Sequence, residues 1–148
     1  MEGLLREIGH GLPAAPRLVL VGPTAAGLAA LVQARHPDAQ VTAAAAGDPR
    51  ALAGPNLDLA VCADLDPASA APQLDALRRA LRPGGSLLLW LDHGWTPARV
   101  SAALEAAALE VVRVGPPSRS GLGLRARLGL PARTLVARAL RHPGTAQH

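Results

Sequence analysis

Arg17 to Leu31 reads RLVLVGPTAAGLAAL, and the order of residue types in this stretch decides the fold. An apolar run from Leu18 to Val21 stops at Gly22-Pro23-Thr24, after which Leu28, Leu31 and Val32 recur at helical spacing. A strand, a tight turn and a helix N-terminus follow one another within fifteen residues. Unpaired backbone N–H groups and the helix dipole make such a turn a seat for a phosphate, a carboxylate or a nucleotide. The side chains here are uncharged, so the layout speaks for the fold and the rest of the chain must speak for the chemistry.

The chain has 148 residues, the size of one domain with a real core. Hydrophobic residues make up 49% but aromatic residues only 1%, with no Phe and no Tyr, so the core is built from Leu, Val and Ala and requires close helix–sheet approach. All 15 basic residues are Arg, which together with the abundance of Ala, Gly and Pro reads as the imprint of a GC-rich genome. Cys62 is the single cysteine, which excludes an internal disulfide and a thiol pair for zinc and points to a reduced, cytoplasmic setting. No apolar stretch is long enough to span a membrane, and Glu2, Arg6 and Glu7 are unlike a signal peptide.

Outward from the opening stretch, residues 1–16 form a short amphipathic cap segment with Leu4, Leu5 and Ile8, and the helix after the first strand ends at His36-Pro37-Asp38. Strands are expected at Gln40 to Ala44, at Leu57 to Cys62, at Ser86 to Leu91 and at Leu109 to Val114. Helices are expected from Ala68 to Leu81, with Leu74, Leu77 and Leu81 on the buried stripe, and from Pro97 to about Ala108 behind an N-cap at Thr96. Leu122 to Leu128 and Thr134 to Leu140 read as an antiparallel hairpin. Strands alternating with helices imply a mostly parallel sheet with helices on both faces, completed by an antiparallel final strand. Ligands in such sheets bind where the strands end at their carboxyl side.

Leu81-Arg82-Pro83-Gly84-Gly85-Ser86-Leu87-Leu88-Leu89, placed after the strand Leu57-Asp58-Leu59-Ala60-Val61, resembles the class I S-adenosylmethionine (SAM) dependent methyltransferases. His36 to Thr42 and Ala106 to Val112 resemble the same family, and by layout the resemblance covers residues 16 to 140. It implies a three-layer Rossmann-like fold, with SAM as cofactor and Gly22, Thr24 and Gly27 around its methionine portion. Asp48 would lie near the ribose and Asp64 beside the cofactor. Against the family's pattern of an acid followed by alternating glycines, the acidic position is Leu20, and Thr24 and Ala26 replace the second and third glycines. The acid that ends the second strand in the family falls near Ala45, and the residues between the second strand and Asp58 are too few for a full helix and strand. One crossover is therefore expected to be shortened or missing, leaving a sheet edge with unpaired backbone groups.

Gly22-Pro23-Thr24-Ala25-Ala26-Gly27 also opens like a P-loop, but Leu28 and Ala29 stand where the lysine and the magnesium-binding hydroxyl belong. Triphosphate binding is set aside on that ground. Asp64, Asp66, Asp92 and His93 follow strands and are placed to face one cleft, so Asp64, Asp92 and His93 are the candidates for general acid–base work. Each is equally an ordinary turn residue, as Asp66-Pro67 is at a helix start. The five histidines show no metal-ligand spacing. Trp90, at the end of its strand, and Trp95, in the loop after it, could each stack on a ligand ring, but in a core without Phe or Tyr they are expected to fill space. The arginines from Arg113 to Arg141 read as a solvated hairpin face rather than a nucleic-acid surface, since no aromatic residue stands among them.

Two functions follow from these residues. The missing acids and glycines favour a methyltransferase-like protein that no longer binds SAM and serves as a structural or regulatory partner, dimeric or protein-bound through the exposed sheet edge. The alternative is an active SAM-dependent methyltransferase for a small molecule with an altered cofactor turn, because methyl transfer depends mainly on positioning.

Overall fold

The computed structural model describes residues 8, 12–22, 25–44, 57–63, 65–91, 95–115 and 135–141. Strand β1 (Arg17–Val21) leads into helix α1 (Ala25–Arg35) and strand β2 (Gln40–Ala44). Strand β3 (Leu57–Ala63) is followed by a 3-10 turn at Pro67–Ser69, helix α2 (Ala70–Ala80) and strand β4 (Leu81–Leu91). Helix α3 (Pro97–Ala106), strand β5 (Leu109–Gly115) and strand β6 (Leu135–Arg141) complete the described elements. The strands form one sheet in the order β2-β1-β3-β4-β6-β5, parallel from β2 to β4 and antiparallel from β4 through β6 to β5.

Helices on both faces make three layers and explain the continuous apolar runs of the central strands. On β1, Val19 and Val21 point into the layer beneath α2 and α3, while Leu18 and Leu20 point into the layer beneath α1. On β3, Ala60 and Cys62 alternate in the same way with Leu59 and Val61. Ile8, fully buried, packs with the α1 layer, so the N-terminal segment contributes to the core at that position. Helix α1 buries Ala25, Leu28 and Val32, whereas Leu31 is 43% exposed. Leu31 lies about a quarter turn from the centre of that stripe, so its expected place in the core is corrected.

The helix caps follow the sequence. Thr96 accepts a hydrogen bond from the Arg99 backbone N–H at 3.2 Å, with Pro97 in the first turn, and Asp66 accepts from Ala68 at 3.1 Å to start the 3-10 turn. α2 ends at Ala80 and the chain is already extended at Leu81, which pairs with Leu57, so Pro83-Gly84-Gly85, expected to stop the helix, lies within β4 instead. The register then shifts so that Leu59 meets Ser86, and Arg82 to Gly85 bulge from the ladder. A side chain at Gly85 would stand 2.9 Å from the Leu57 carbonyl oxygen, so the second glycine is set by close strand approach.

The antiparallel hairpin has a different partner from the one expected. β6 carries β4 along one side and β5 along the other, so neither of its edges is open to a strand from residues 122–128, which lie outside the described residues. The two edges of the sheet also differ. β5 carries Glu110 and Arg113 and a register shift between Val111 and Arg113, devices that discourage further pairing. β2 pairs with β1 in unbroken register, bears no charge and leaves Gln40, Thr42 and Ala43 exposed. Among the described residues no strand lies outside β2, in keeping with a shortened crossover.

Candidate functional site

The carboxyl ends of β1, β2 and β3 meet at Gly22. Its N–H donates to the Ala44 carbonyl at 3.2 Å, its carbonyl accepts from the Ala25 N–H at 3.1 Å, and its φ is +135°. A Cβ on this residue would lie 2.7 Å from the Ala63 carbonyl oxygen. The close approach that glycine permits here is thus made by the backbone of β3. Gly27 stands apart from this junction, exposed on α1, and an added Cβ would meet nothing within 4 Å.

Leu20, at the position where the resemblance implies an acid, is 1% exposed and packs among the aliphatic residues beneath α1. A carboxylate there would be buried in a wholly apolar layer. At the end of β2 the chain runs Ala43-Ala44-Ala45-Ala46; Ala44 is buried and has no side-chain acceptor, and Ala45, near which the family's acid would fall, lies outside the described residues. Among the described residues of the turn, neither Leu20 nor Ala44 brings a side-chain donor or acceptor to it. Thr24, Asp48, Asp64, Asp92 and His93 lie outside the described residues. Of the expected site residues, the structure places Gly22 at the strand junction and Gly27 away from it.

Trp95, expected to fill space, does so with its polar edge satisfied. It packs against the α2–α3 layer, and its indole Nε1–H donates to the Leu65 carbonyl at 2.8 Å. Trp90 packs on the opposite face of the sheet. Among the described residues no group of His, Cys, Asp and Glu is arranged to hold a metal ion. No described helix is long and apolar enough to cross a membrane.

Among the described residues a concavity of about 520 Å³ lies on the outside of α2 and α3, with no residue of the β1 turn in its lining. Alanines of both helices form much of its wall, and Asp75, Arg78, Trp95 and Arg99 supply its polar and aromatic groups. Asp75 accepts from Arg78 at 3.1 Å and from Arg79 at 3.0 Å, three and four residues ahead on the same helix. The sequence shows these charges lying off the buried stripe of α2. What it does not show is that α3 approaches to make a cleft there.

Arg141 corrects the reading of the late arginines as a solvated face. It is 7% exposed, and its Nη1 reaches the carbonyls of Arg78, Arg79 and Leu81 at 3.2, 3.3 and 2.6 Å. The last carbonyls of a helix lack intrahelical donors and carry the negative end of its dipole, so a guanidinium brought in from β6 caps α2.

No protein-family model matches the chain, and no curated protein matches it in sequence. Its structure is nonetheless similar to many solved ones. The TehB-like SAM-dependent methyltransferase of Corynebacterium glutamicum superposes with a TM-score of 0.60 at 18% identity, over 93% of this chain and 86% of that one. The SAM-dependent methyltransferase of Mesorhizobium loti gives 0.60 at 17% identity, over 93% and 96%. A chain from the complex between the Haloferax volcanii Trm112 methyltransferase activator and its candidate methyltransferase gives 0.67 at 14% identity, over 91% and 86%. The fold is the Rossmann-like fold of the class I SAM-dependent methyltransferases, with a six-stranded sheet among the described residues.

Proposed function

We propose that this chain is a non-catalytic protein of methyltransferase fold that acts as a structural or regulatory partner, pairing through the β2 edge. The observation that carries the reading is Leu20, buried in the core at the position from which an acid would serve SAM. Gly22 adds to it, because the close approach at that residue is made by the backbone of β3, which gives a packing reason for the glycine without a cofactor. A fold kept without its cofactor chemistry is still a surface for other proteins. In one structure of similar fold, a methyltransferase activator is half of the complex.

Titration calorimetry tests the first half. SAM at millimolar concentration is expected to produce no heat of binding and no rise in melting temperature. Saturable binding at micromolar concentration would instead support the alternative, an active small-molecule methyltransferase with an altered turn.

The second half rests on the outer edge of β2, beside which no strand lies among the described residues, a row of backbone groups that another strand could pair with. Light scattering at micromolar concentration is expected to give the mass of a dimer, and Thr42→Lys, which puts a charge on that edge, is expected to return it to a monomer. A monomeric parent chain that also captures no partner through this edge would sink the proposal.

A further inference from the structure

We propose that the cleft between α2 and α3 binds a free anionic amphiphile, a small molecule with an apolar body and one carboxylate. This site is separate from the β1 turn and from the β2 edge, so it stands whether or not SAM is bound. Its volume of about 520 Å³ falls within the roughly 300–1,000 Å³ of small-molecule pockets, and its make-up is theirs too, an apolar wall with a few placed polar groups. Ala71 of α2 and Ala102, Ala103 and Ala106 of α3 line it, which gives a smooth apolar surface for an alkyl or ring body.

One end is shaped by Trp95. The indole is fixed by its bond to the Leu65 carbonyl, and the Arg99 guanidinium carbon stands 6.0 Å from the ring centroid. Held in this way, the ring presents a wall at little further entropic cost.

Charge names the ligand's head group. Towards the C-terminal end of α2 the cleft is lined by Arg78, whose side chain is only 14% exposed, and Arg99 of α3 is the second cation in the lining. Among the described residues Asp75 is the one carboxylate in the lining, and it is shared by Arg78 and Arg79. Positive charge exceeds negative there, and a partly buried cation is less screened than an exposed one. Arginine pairs with carboxylates through charge-assisted hydrogen bonds, so an anion at the Arg78 end leaves the apolar body against alanine and Trp95.

The chain has two tryptophans and no tyrosine, so Trp90→Phe leaves Trp95 as the reporter of the cleft. That variant, titrated with decanoate and separately with 1-decanol, is expected to show a saturable change in Trp95 emission, with decanoate binding at least about tenfold tighter. Arg78→Gln is expected to weaken decanoate by about tenfold and leave decanol unchanged. Ala102→Leu fills the cleft from an exposed position, where folding is spared, and is expected to weaken both. No saturable change, equal affinity for acid and alcohol, or unaltered binding in Ala102→Leu would each overturn the proposal. Should Arg78→Gln fail to fold, the acid–alcohol comparison and Ala102→Leu still decide it.

Discussion

Replacing Gly22 by alanine is expected to destabilise the fold by about 3–5 kcal/mol, the sum of a strained backbone and an overpacked contact. The φ of +135° is one that a residue with a Cβ rarely adopts, and the new atom would stand 2.7 Å from the Ala63 carbonyl oxygen. That oxygen belongs to a strand in the middle of the sheet and has little room to retreat. Because domains of this kind are held by only about 5–15 kcal/mol, the variant should unfold at a much lower urea concentration, or fail to accumulate folded. The loss should be the same with and without SAM. A shift in stability below about 1 kcal/mol would mean that β1 and β3 are not locked together at this turn.

Arg141→Met is expected to cost about 2–4 kcal/mol, although methionine fills a similar volume. The loss comes from the three carbonyls, of Arg78, Arg79 and Leu81, that Nη1 now reaches, the last of them through a buried contact. Removing a desolvated guanidinium recovers part of this, since its Nε–H is buried without an acceptor. Arg141→Lys keeps the charge and is expected to restore about half of the loss. The check is urea unfolding of both variants: methionine and lysine giving equal stability would show that the cap contributes nothing through its charge or its donors.

Strand and helix positions were legible because their residues repeat with the periods of the elements they form. Leu74 and Leu77 mark the buried side of α2, and Thr96-Pro97 marks the start of α3. The shortened crossover was legible from chain length alone. Pairing was less so. A local pattern of alternating residues says that a segment can be a strand, but not which edge will receive it, and residues 135–141 settle between two strands formed much earlier in the chain.

The site was legible mainly as a set of departures. Leu20 in place of an acid is visible in the sequence, and the structure adds that this side chain is buried in the layer beneath α1. Gly22 looks like a cofactor glycine, and the position of the Ala63 carbonyl adds that strand packing also requires a glycine there. Arg141 lies in an arginine-rich segment that reads as solvated, because no local signal distinguishes a guanidinium that will find the end of a helix some sixty residues earlier.

The place of β6 between β4 and β5 also bears on how the chain is made. During synthesis β5 emerges before the strand that joins it to the sheet, and it has no other neighbour there. The outer side of β4 waits for the same segment. Until Arg141 has left the ribosome, the growing chain therefore holds a parallel half-sheet, an unjoined strand and an uncapped α2. Residues 135–141 supply both antiparallel ladders and the α2 cap, so a polypeptide released just before Leu135 is expected to expose unpaired strand edges rather than fold as a smaller stable domain.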